Sequence, residues 1–133
     1  MLNYLWVGLG GALGSIARFW ASRWIAQNLS DALPWGTLIV NVSGSFAIGL
    51  FATYAGPDAR WLVSPSARLF FMTGICGGYT TFSAFSLQTF ELAREGKWSY
   101  AAAYTVLSFA LCIIAVWIGH VAATALQPAK GSH

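Results

Sequence analysis

The sequence predicts an all-α membrane protein with four transmembrane helices, the third broken near its middle. Two observations support this fold class. Only 8% of the 133 residues are charged and 57% are hydrophobic, whereas about 25% of a soluble domain is charged. So few charges cannot cover a water-soluble fold, which excludes a soluble enzyme, a nucleic-acid binder and a disordered chain. The apolar residues also form four blocks, each long enough for a bilayer core that takes about 20 helical residues.

The four blocks form a single domain over residues 1–133. The predicted spans cover residues 2–25, 36–55, 67–93 and 99–126. Turn-forming segments at 28–34, 56–58 and 94–97 separate them. Tryptophans at span ends are typical of membrane interfaces, and these are Trp35, Trp61 and Trp98. The N-terminus lacks a basic region and a cleavage site, so we expect a retained first helix. The tail 131–133, Gly-Ser-His, resembles a cloning remnant.

The basic residues are divided evenly between the two sides of the predicted bundle. Four spans place both termini and the second loop on one side, with Arg60, Arg68 and Lys130; the other side holds Arg23, Arg94 and Lys97. Orientation normally follows the Lys/Arg bias of short loops. The balance predicts insertion in both orientations, so that two opposed copies can pair as an antiparallel homodimer. The alternative is that the first helix or a local charge fixes one orientation.

Arg18 is a charged residue that lies well inside the first predicted span and away from its ends. The span interiors contain no Asp or Glu, since Glu91 lies at the end of the third span. A charge at membrane depth marks a functional site or a water-filled cavity, and a positive one favours anions. Alternatively, Arg18 reaches the interface beside Arg23. On the same helix, Gly10 and Gly14 predict a small-residue face for close helix packing.

The third span carries the strongest local signal. Gly74, Gly77 and Gly78, followed by Thr80 and Thr81, do not favour a continuous helix. Broken backbone at membrane depth persists only where it is buried in protein or lines water, and its carbonyls can coordinate a cation. Beyond the break, Phe82 and Phe85 share a helix face, either as packing residues or with their positive ring edges towards an anion.

Polar side chains on the other spans offer partners for an ion or for neighbouring helices. Tyr104, Ser108 and Cys112 recur at intervals of four on the fourth span, and Asn41 and Ser43 lie in the second. The two cysteines, Cys76 and Cys112, lie in apolar stretches and are expected to pack as thiols. The sequence shows no metal-ligand spacing of Cys and His and no nucleophile–base pair, so we expect no enzyme.

Three motifs resemble the Fluc (CrcB) family of fluoride channels. They are Gly-Gly-x-x-Gly-x-x-x-Arg ending at Arg18, the segment 36–41 ending at Asn41, and the segment 77–86. The resemblance covers all four spans. It implies passive export of fluoride across the bacterial cytoplasmic (inner) membrane, which lowers cytoplasmic fluoride. It also implies a multi-pass, dual-topology, antiparallel homodimer in membrane lipid, with two pores and a structural sodium ion (Na⁺) on the two-fold axis.

The same resemblance assigns roles to residues. Backbone carbonyls of Gly77 and Thr80 from both chains would hold the sodium ion, and Arg18 would give a vestibule positive potential. The implied fluoride pore contains Asn41, Ser43, Phe82, Phe85, Tyr104, Ser108 and Cys112. Two positions depart from the family pattern: Gln88, a candidate gating position, where many relatives have Glu, and Cys112, where relatives often have Ser.

Two other classes fit parts of the sequence. A small dual-topology multidrug exporter also has four short helices, but proton-coupled cation export needs an intramembrane carboxylate, and the first span offers Arg18 instead. A non-transporting membrane subunit accounts for the hydrophobicity. It does not account for a glycine-rich break followed by aromatic and hydroxyl stripes.

Overall fold

A computed structural model describes residues 1–56 and 63–127, and every regular element in these ranges is a helix. The elements are α1 (Leu2–Asn28), α2 (Trp35–Tyr54), α3 (Pro65–Arg68), a π-helix (Leu69–Cys76), α4 (Gly77–Tyr79), α5 (Phe82–Arg94) and α6 (Trp98–Leu126). The all-helical class is therefore confirmed. Arg60, Trp61 and Lys130, the centre of the second turn segment and the tail 131–133 lie outside the described residues.

The helix bounds agree with the predicted blocks to within three residues. In the described part of the chain, α2 and α6 are long and apolar enough to cross a membrane, with mean hydropathies of 1.5 and 2.3. The third block is divided into pieces shorter than 18 residues. Only the length and the composition of α2 and α6 indicate that they cross a membrane, so crossing by all four blocks stays a prediction.

Glycines set the closest helix contacts, as predicted for the face of α1. A Cβ atom on Gly10 would lie 2.9 Å from the Cα atom of Gly74, and one on Gly78 would lie 2.5 Å from the carbonyl oxygen of Gly11. On the other side of the bundle, a Cβ on Gly49 would lie 2.9 Å from the Cα atom of Val116. Backbone therefore packs on backbone in both helix pairs, which only small residues permit.

The helical path of the third segment is interrupted at Thr80 and Thr81. Thr80 has φ −80° and ψ 157°, and Thr81 has φ −151° and ψ 116°, so both are extended. The amide and the hydroxyl of Thr80 donate to the Cys76 carbonyl at 3.0 and 2.9 Å, which ends α4. The Thr81 hydroxyl accepts from the amide of Ala84 at 3.2 Å. It is thus the N-cap of α5, a role that threonine favours.

Candidate functional site

A cavity of about 320 Å³ lies beside the interruption, between α2, the third segment and α6; we call it the central cavity. Seven residues predicted for the pore or the sodium site line it: Asn41, Gly77, Thr80, Phe82, Phe85, Ser108 and Cys112. The remaining lining is mostly apolar and includes Ile48, Phe109 and Ile113. The fold thus brings residues from three predicted spans to a single space.

Asn41 clamps the interrupted backbone. Its side-chain amide donates to the Thr81 carbonyl at 3.0 Å, and its side-chain oxygen accepts from the Thr81 amide at 2.7 Å. This pair of bonds satisfies the backbone amide and carbonyl of Thr81, which is extended and lies outside a helix. An asparagine amide has two N–H groups, so one remains beyond the clamp.

The aromatic residues differ in their surroundings. Phe85 is 7% exposed, and its ring centroid lies 5.4 Å from that of Phe82, 5.3 Å from Tyr104 and 5.8 Å from Phe109. The Phe109 ring is almost perpendicular to that of Phe85, at 89°. Phe82 is 69% exposed. Phe109 was missed from the sequence because no polar or glycine signal marks its position among the apolar residues of α6.

Ser108 carries an orphaned hydroxyl on the wall of the central cavity. The residue is 7% exposed, and its Oγ is buried with no hydrogen-bond partner among the described residues. A buried hydroxyl without a partner costs free energy comparable to a lost hydrogen bond. Such a group is therefore suited to a ligand that enters the cavity.

Tyr104 and Gln88 connect α6 with α5. Tyr104 is fully buried, and its hydroxyl donates to the side-chain oxygen of Gln88 at 2.9 Å. Tyr104 touches the aromatic cluster through Phe85 and is not among the lining residues of the central cavity. Gln88 therefore keeps the Tyr104 hydroxyl paired without carrying a charge.

A second cavity of about 570 Å³, here called the vestibule, lies at the loop between α1 and α2. Arg18, Arg23, Ser15, Thr37, Thr81 and Gln88 are among its lining residues. Thr81 lines both cavities, so the two adjoin at the interruption. Asp31, from the loop between α1 and α2, also lines the vestibule, so one carboxylate faces it beside the two arginines. Arginines still outnumber carboxylates there.

Ser43 lies apart from the other predicted pore residues. Its hydroxyl is 3.0 Å from the Tyr79 hydroxyl and donates to the Val40 carbonyl at 3.1 Å. It lines a separate apolar cavity with Trp35, Ile39 and Phe46. Thr37 and Thr81, by contrast, line the vestibule and were not singled out as pore residues. Their hydroxyls inside predicted spans were the signal that could have identified them.

The described residues contain no cluster of three His, Cys, Asp or Glu side chains able to hold a metal ion. A cation in the central cavity would need other oxygen ligands. Backbone carbonyls at the interruption are such ligands, because hard cations prefer oxygen and the Thr81 amide bonds to Asn41 instead of to the Gly77 carbonyl. At Gly77 an added Cβ would meet only the Met72 carbonyl, at 3.9 Å, so the backbone is open to approach. The residues present therefore fit a hard cation bound by backbone oxygens.

Comparisons with known proteins agree with the resemblance seen in the sequence. Residues 5–120 match the model of the family described as CrcB-like protein, Camphor Resistance (CrcB). The chain is 54% identical over 132 residues to a fluoride-specific ion channel FluC of Opitutus terrae, covering 99% of this chain and all of that protein. It is 54% identical over 126 residues to the FluC of Rhodospirillum rubrum, covering 95% and 98%. On this match, the chain belongs to the CrcB family.

Proposed function

We propose that this chain is a fluoride channel of the bacterial cytoplasmic membrane, a multi-pass protein that exports fluoride passively and lowers its cytoplasmic concentration. The names of its relatives support fluoride as the transported ion. The observation that carries the proposal in this chain is the buried, unpartnered hydroxyl of Ser108 on the wall of the central cavity. It is a preformed donor with no partner of its own, and fluoride is a small anion that accepts hydrogen bonds.

The cavities provide a graded series of weak partners. Arg18 and Arg23 give the vestibule a positive balance, and Thr81 leads to the central cavity. In the central cavity an anion would meet the remaining Asn41 N–H, the ring edges of Phe82 and Phe85, the Ser108 hydroxyl and the Cys112 thiol. An anion without partners in a low-dielectric interior is prohibitively costly. Partners that bind weakly at several points allow an ion to enter and still to leave.

Fluoride efflux from proteoliposomes tests the role of Ser108. Ser108→Ala should keep the fold, because no protein hydrogen bond is lost. Its flux should fall about 10- to 100-fold, the equivalent of a hydrogen bond to a charged partner. Thr105→Val on the same helix is the matched control, since the Thr105 hydroxyl already donates to the Ala101 carbonyl at 2.9 Å. Wild-type flux through Ser108→Ala would contradict the proposal, and equal loss in both variants would indicate a merely structural effect.

The functional unit in this proposal is an antiparallel homodimer with two pores. Gly77 and Phe82 lie beside the central cavity yet are exposed in a single chain. An open face next to an intramembrane cavity fits completion by a second copy. The balanced basic residues of the two sides fit insertion in both orientations.

A structural sodium ion would sit between the two copies, held by the Gly77 and Thr80 carbonyls of each. When bound, it would supply a fixed positive charge, and the carbonyl oxygens of Gly77 and Thr80 from both copies would hold it. The chain contributes only backbone oxygens, so Thr80→Ser should be mild, whereas Gly77→Val should disrupt the site. Dimer size and fluoride flux, measured with sodium and with a large organic cation, provide the readouts. Unchanged dimer and flux for Gly77→Val would argue against the ion.

Cysteine labelling tests the dual topology. Glu95, half exposed in the loop before α6, can be replaced by Cys in a chain whose two native cysteines are removed. Impermeant reagents applied to cells and to inverted vesicles should each label part of the protein. Labelling from one side only would exclude insertion in both orientations. If both orientations are labelled, two lysines added to one loop should force one orientation and lower the flux.

A further inference from the structure

One face of α6 continues beyond the central cavity. Phe109, Ile113, Val116 and His120 follow one another at steps of three or four residues, so they share this face of the helix. The ring Nδ1 of His120 lies 2.8 Å from the Oγ1 of Thr53 on α2. The face that borders the central cavity therefore ends on a titratable side chain that is held in place.

The proton positions in this contact follow from the hydroxyl. Thr53 Oγ1 donates to the Gly49 carbonyl at 2.9 Å, and a hydroxyl has only one proton. With that proton on the Gly49 carbonyl, Thr53 Oγ1 accepts from His120, and Nδ1 is then the nitrogen that carries the hydrogen. The neutral ring then presents a lone pair at Nε2, which repels an anion, whereas the imidazolium presents an N–H donor and a positive charge.

A third cavity, here called the exit cavity, surrounds this pair. It has a volume of about 480 Å³ and is lined by residues of α2 and α6, among them Thr53, Ile113, Val116 and His120. Ile113 also lines the central cavity, so the two adjoin. The vestibule is lined by the first turn of α2 and the exit cavity by its last. At 1.5 Å per residue these ends lie about 25 Å apart, which places the two cavities at opposite ends of the bundle.

We propose that fluoride leaves the central cavity past Ile113 and Val116, and that protonated His120, oriented by Thr53, is an anion-binding site at the end of the path opposite Arg18. This inference rests on the proposed channel function. It adds an exit and a second positive group, so that each end of the path attracts the anion.

The electrostatic surroundings favour an anion at this end. Of the described side chains, the other titratable or charged groups near the last turn of α2 are Tyr54 and Arg68, whose guanidinium donates to the Ala55 carbonyl. Gln127 donates to the Thr53 carbonyl at 3.3 Å. Within the described part of the chain, no carboxylate lines the exit cavity. Protonation of His120 therefore adds positive charge to a cavity whose described lining has no acidic residue to neutralise it.

Substitutions at His120 test the site through pH. Histidine titrates between about pH 5 and 8, so fluoride efflux from liposomes is measured at both ends of that range. Protein-free vesicles correct for hydrogen fluoride, which crosses lipid by itself. His120→Gln keeps a donor for Thr53 but cannot become charged, and its flux should fall at least about fivefold below wild type at low pH and match it at high pH. His120→Lys should conduct at both pH values, because lysine stays positively charged across this range.

Thiol labelling tests the route independently. In a chain with Cys76→Ala and Cys112→Ser, Val116→Cys on the exit cavity is compared with Ile118→Cys, which lines a different cavity. The native side chains are similarly exposed, at 40% and 46%. A negatively charged methanethiosulfonate should block the first variant by more than about tenfold and leave the second unaffected.

The outcomes separate the two proposals. If the wild-type protein carries no more fluoride than protein-free vesicles, the proposed function fails and this inference fails with it. If wild type conducts, two results each overturn the exit site alone. One is a His120→Gln chain that keeps the wild-type ratio of fluxes at low and high pH. The other is a labelled Val116→Cys chain that conducts as well as its unlabelled form.

Discussion

The two walls of the central cavity are built differently. One wall, made of Asn41 from α2, Phe85 from α5 and Ser108 from α6, is packed within one chain: Phe85 and Ser108 are each 7% exposed, and Asn41 is bonded to Thr81. The other wall, made of Gly77 from α4 and Phe82 from the start of α5, is open, with Phe82 69% exposed. We refer to them as the closed wall and the open wall.

The difference separates what one chain determines from what an assembly would add. The closed wall has its rotamers fixed by neighbours in the same chain, which preorganises donors for an ion. The open wall leaves an aromatic ring and a glycine at the surface of a hydrophobic chain, where lipid or a second copy must cover them. Substitutions that remove packing or hydrogen bonds from the closed wall should therefore change folding and flux together, whereas Ser108→Ala, which removes no hydrogen bond within the chain, should change flux alone. Substitutions on the open wall should change flux and assembly alone.

The largest expected effect compares two adjacent glycines. Gly78→Ala should destabilise the chain by about 1–3 kcal/mol or more, because its Cβ would lie 2.5 Å from the Gly11 carbonyl and neither backbone can yield. Gly77→Ala should leave the protomer at least as stable, because its nearest contact is 3.9 Å and alanine favours helix by about 1 kcal/mol. Thermal unfolding in detergent measures both.

Dimer content by size exclusion completes this comparison. If the open wall meets a second copy, Gly77→Ala should lower the dimer fraction although the protomer remains folded. Equal melting temperatures for the two variants would contradict the close approach of α1 and α4. A fully dimeric Gly77→Ala protein with wild-type flux would show that the open wall needs no partner at this position.

Phe82 and Phe85 provide the second comparison. Isoleucine keeps the bulk of either side chain but removes the ring edge. Phe82→Ile should leave stability unchanged because the ring is exposed, and should lower fluoride efflux at least about tenfold. Phe85→Ile should lower efflux and also cost up to about 1.5 kcal/mol, since it removes ring contacts with Tyr104 and Phe109. If both variants fold and their efflux equals that of wild type, Phe82 and Phe85 serve only in packing.

The sequence predicted the helical class and the helix bounds because blocks of apolar residues and turn-forming breaks are local signals. It also identified most residues of the central cavity, since glycine, threonine and serine within apolar helices are conspicuous. It did not identify which side of a helix each residue faces. Ser43 is two residues from Asn41, so on a helix it points away from it, to a separate cavity. Asp31 entered the vestibule because the loop folds over it, a tertiary effect that spacing does not encode.

Gln88 sharpens the comparison at the edge of the closed wall. Gln88→Leu removes the acceptor of the buried Tyr104 hydroxyl, and an unsatisfied buried hydroxyl costs about 1–3 kcal/mol. Gln88→Glu keeps an acceptor and should preserve the fold. Thermal unfolding of the two variants, each alone and combined with Tyr104→Phe, measures the energetic coupling between Gln88 and Tyr104. The penalty of Gln88→Leu should shrink in the Tyr104→Phe background. A penalty that persists there would mean that Gln88 acts through other contacts.

The smallest effect is expected away from both walls, at the exposed pair of Glu95 and Lys97 in the loop before α6. Their nitrogen and oxygen are 2.8 Å apart, and the hydrogen bond from Lys97 lowers the pKa of Glu95 below its usual value. A lowered carboxyl pKa contributes stability above the pKa of the unfolded chain, and this contribution is lost as the pH falls through the folded value. Both side chains are more than half exposed, so water and salt screen the pair. Glu95→Gln should therefore give an unfolding temperature and a fluoride efflux that match wild type at neutral and at acidic pH. A measurable loss confined to neutral pH would show that the pair stabilises the chain despite its exposure, because only the charged carboxylate pairs with Lys97.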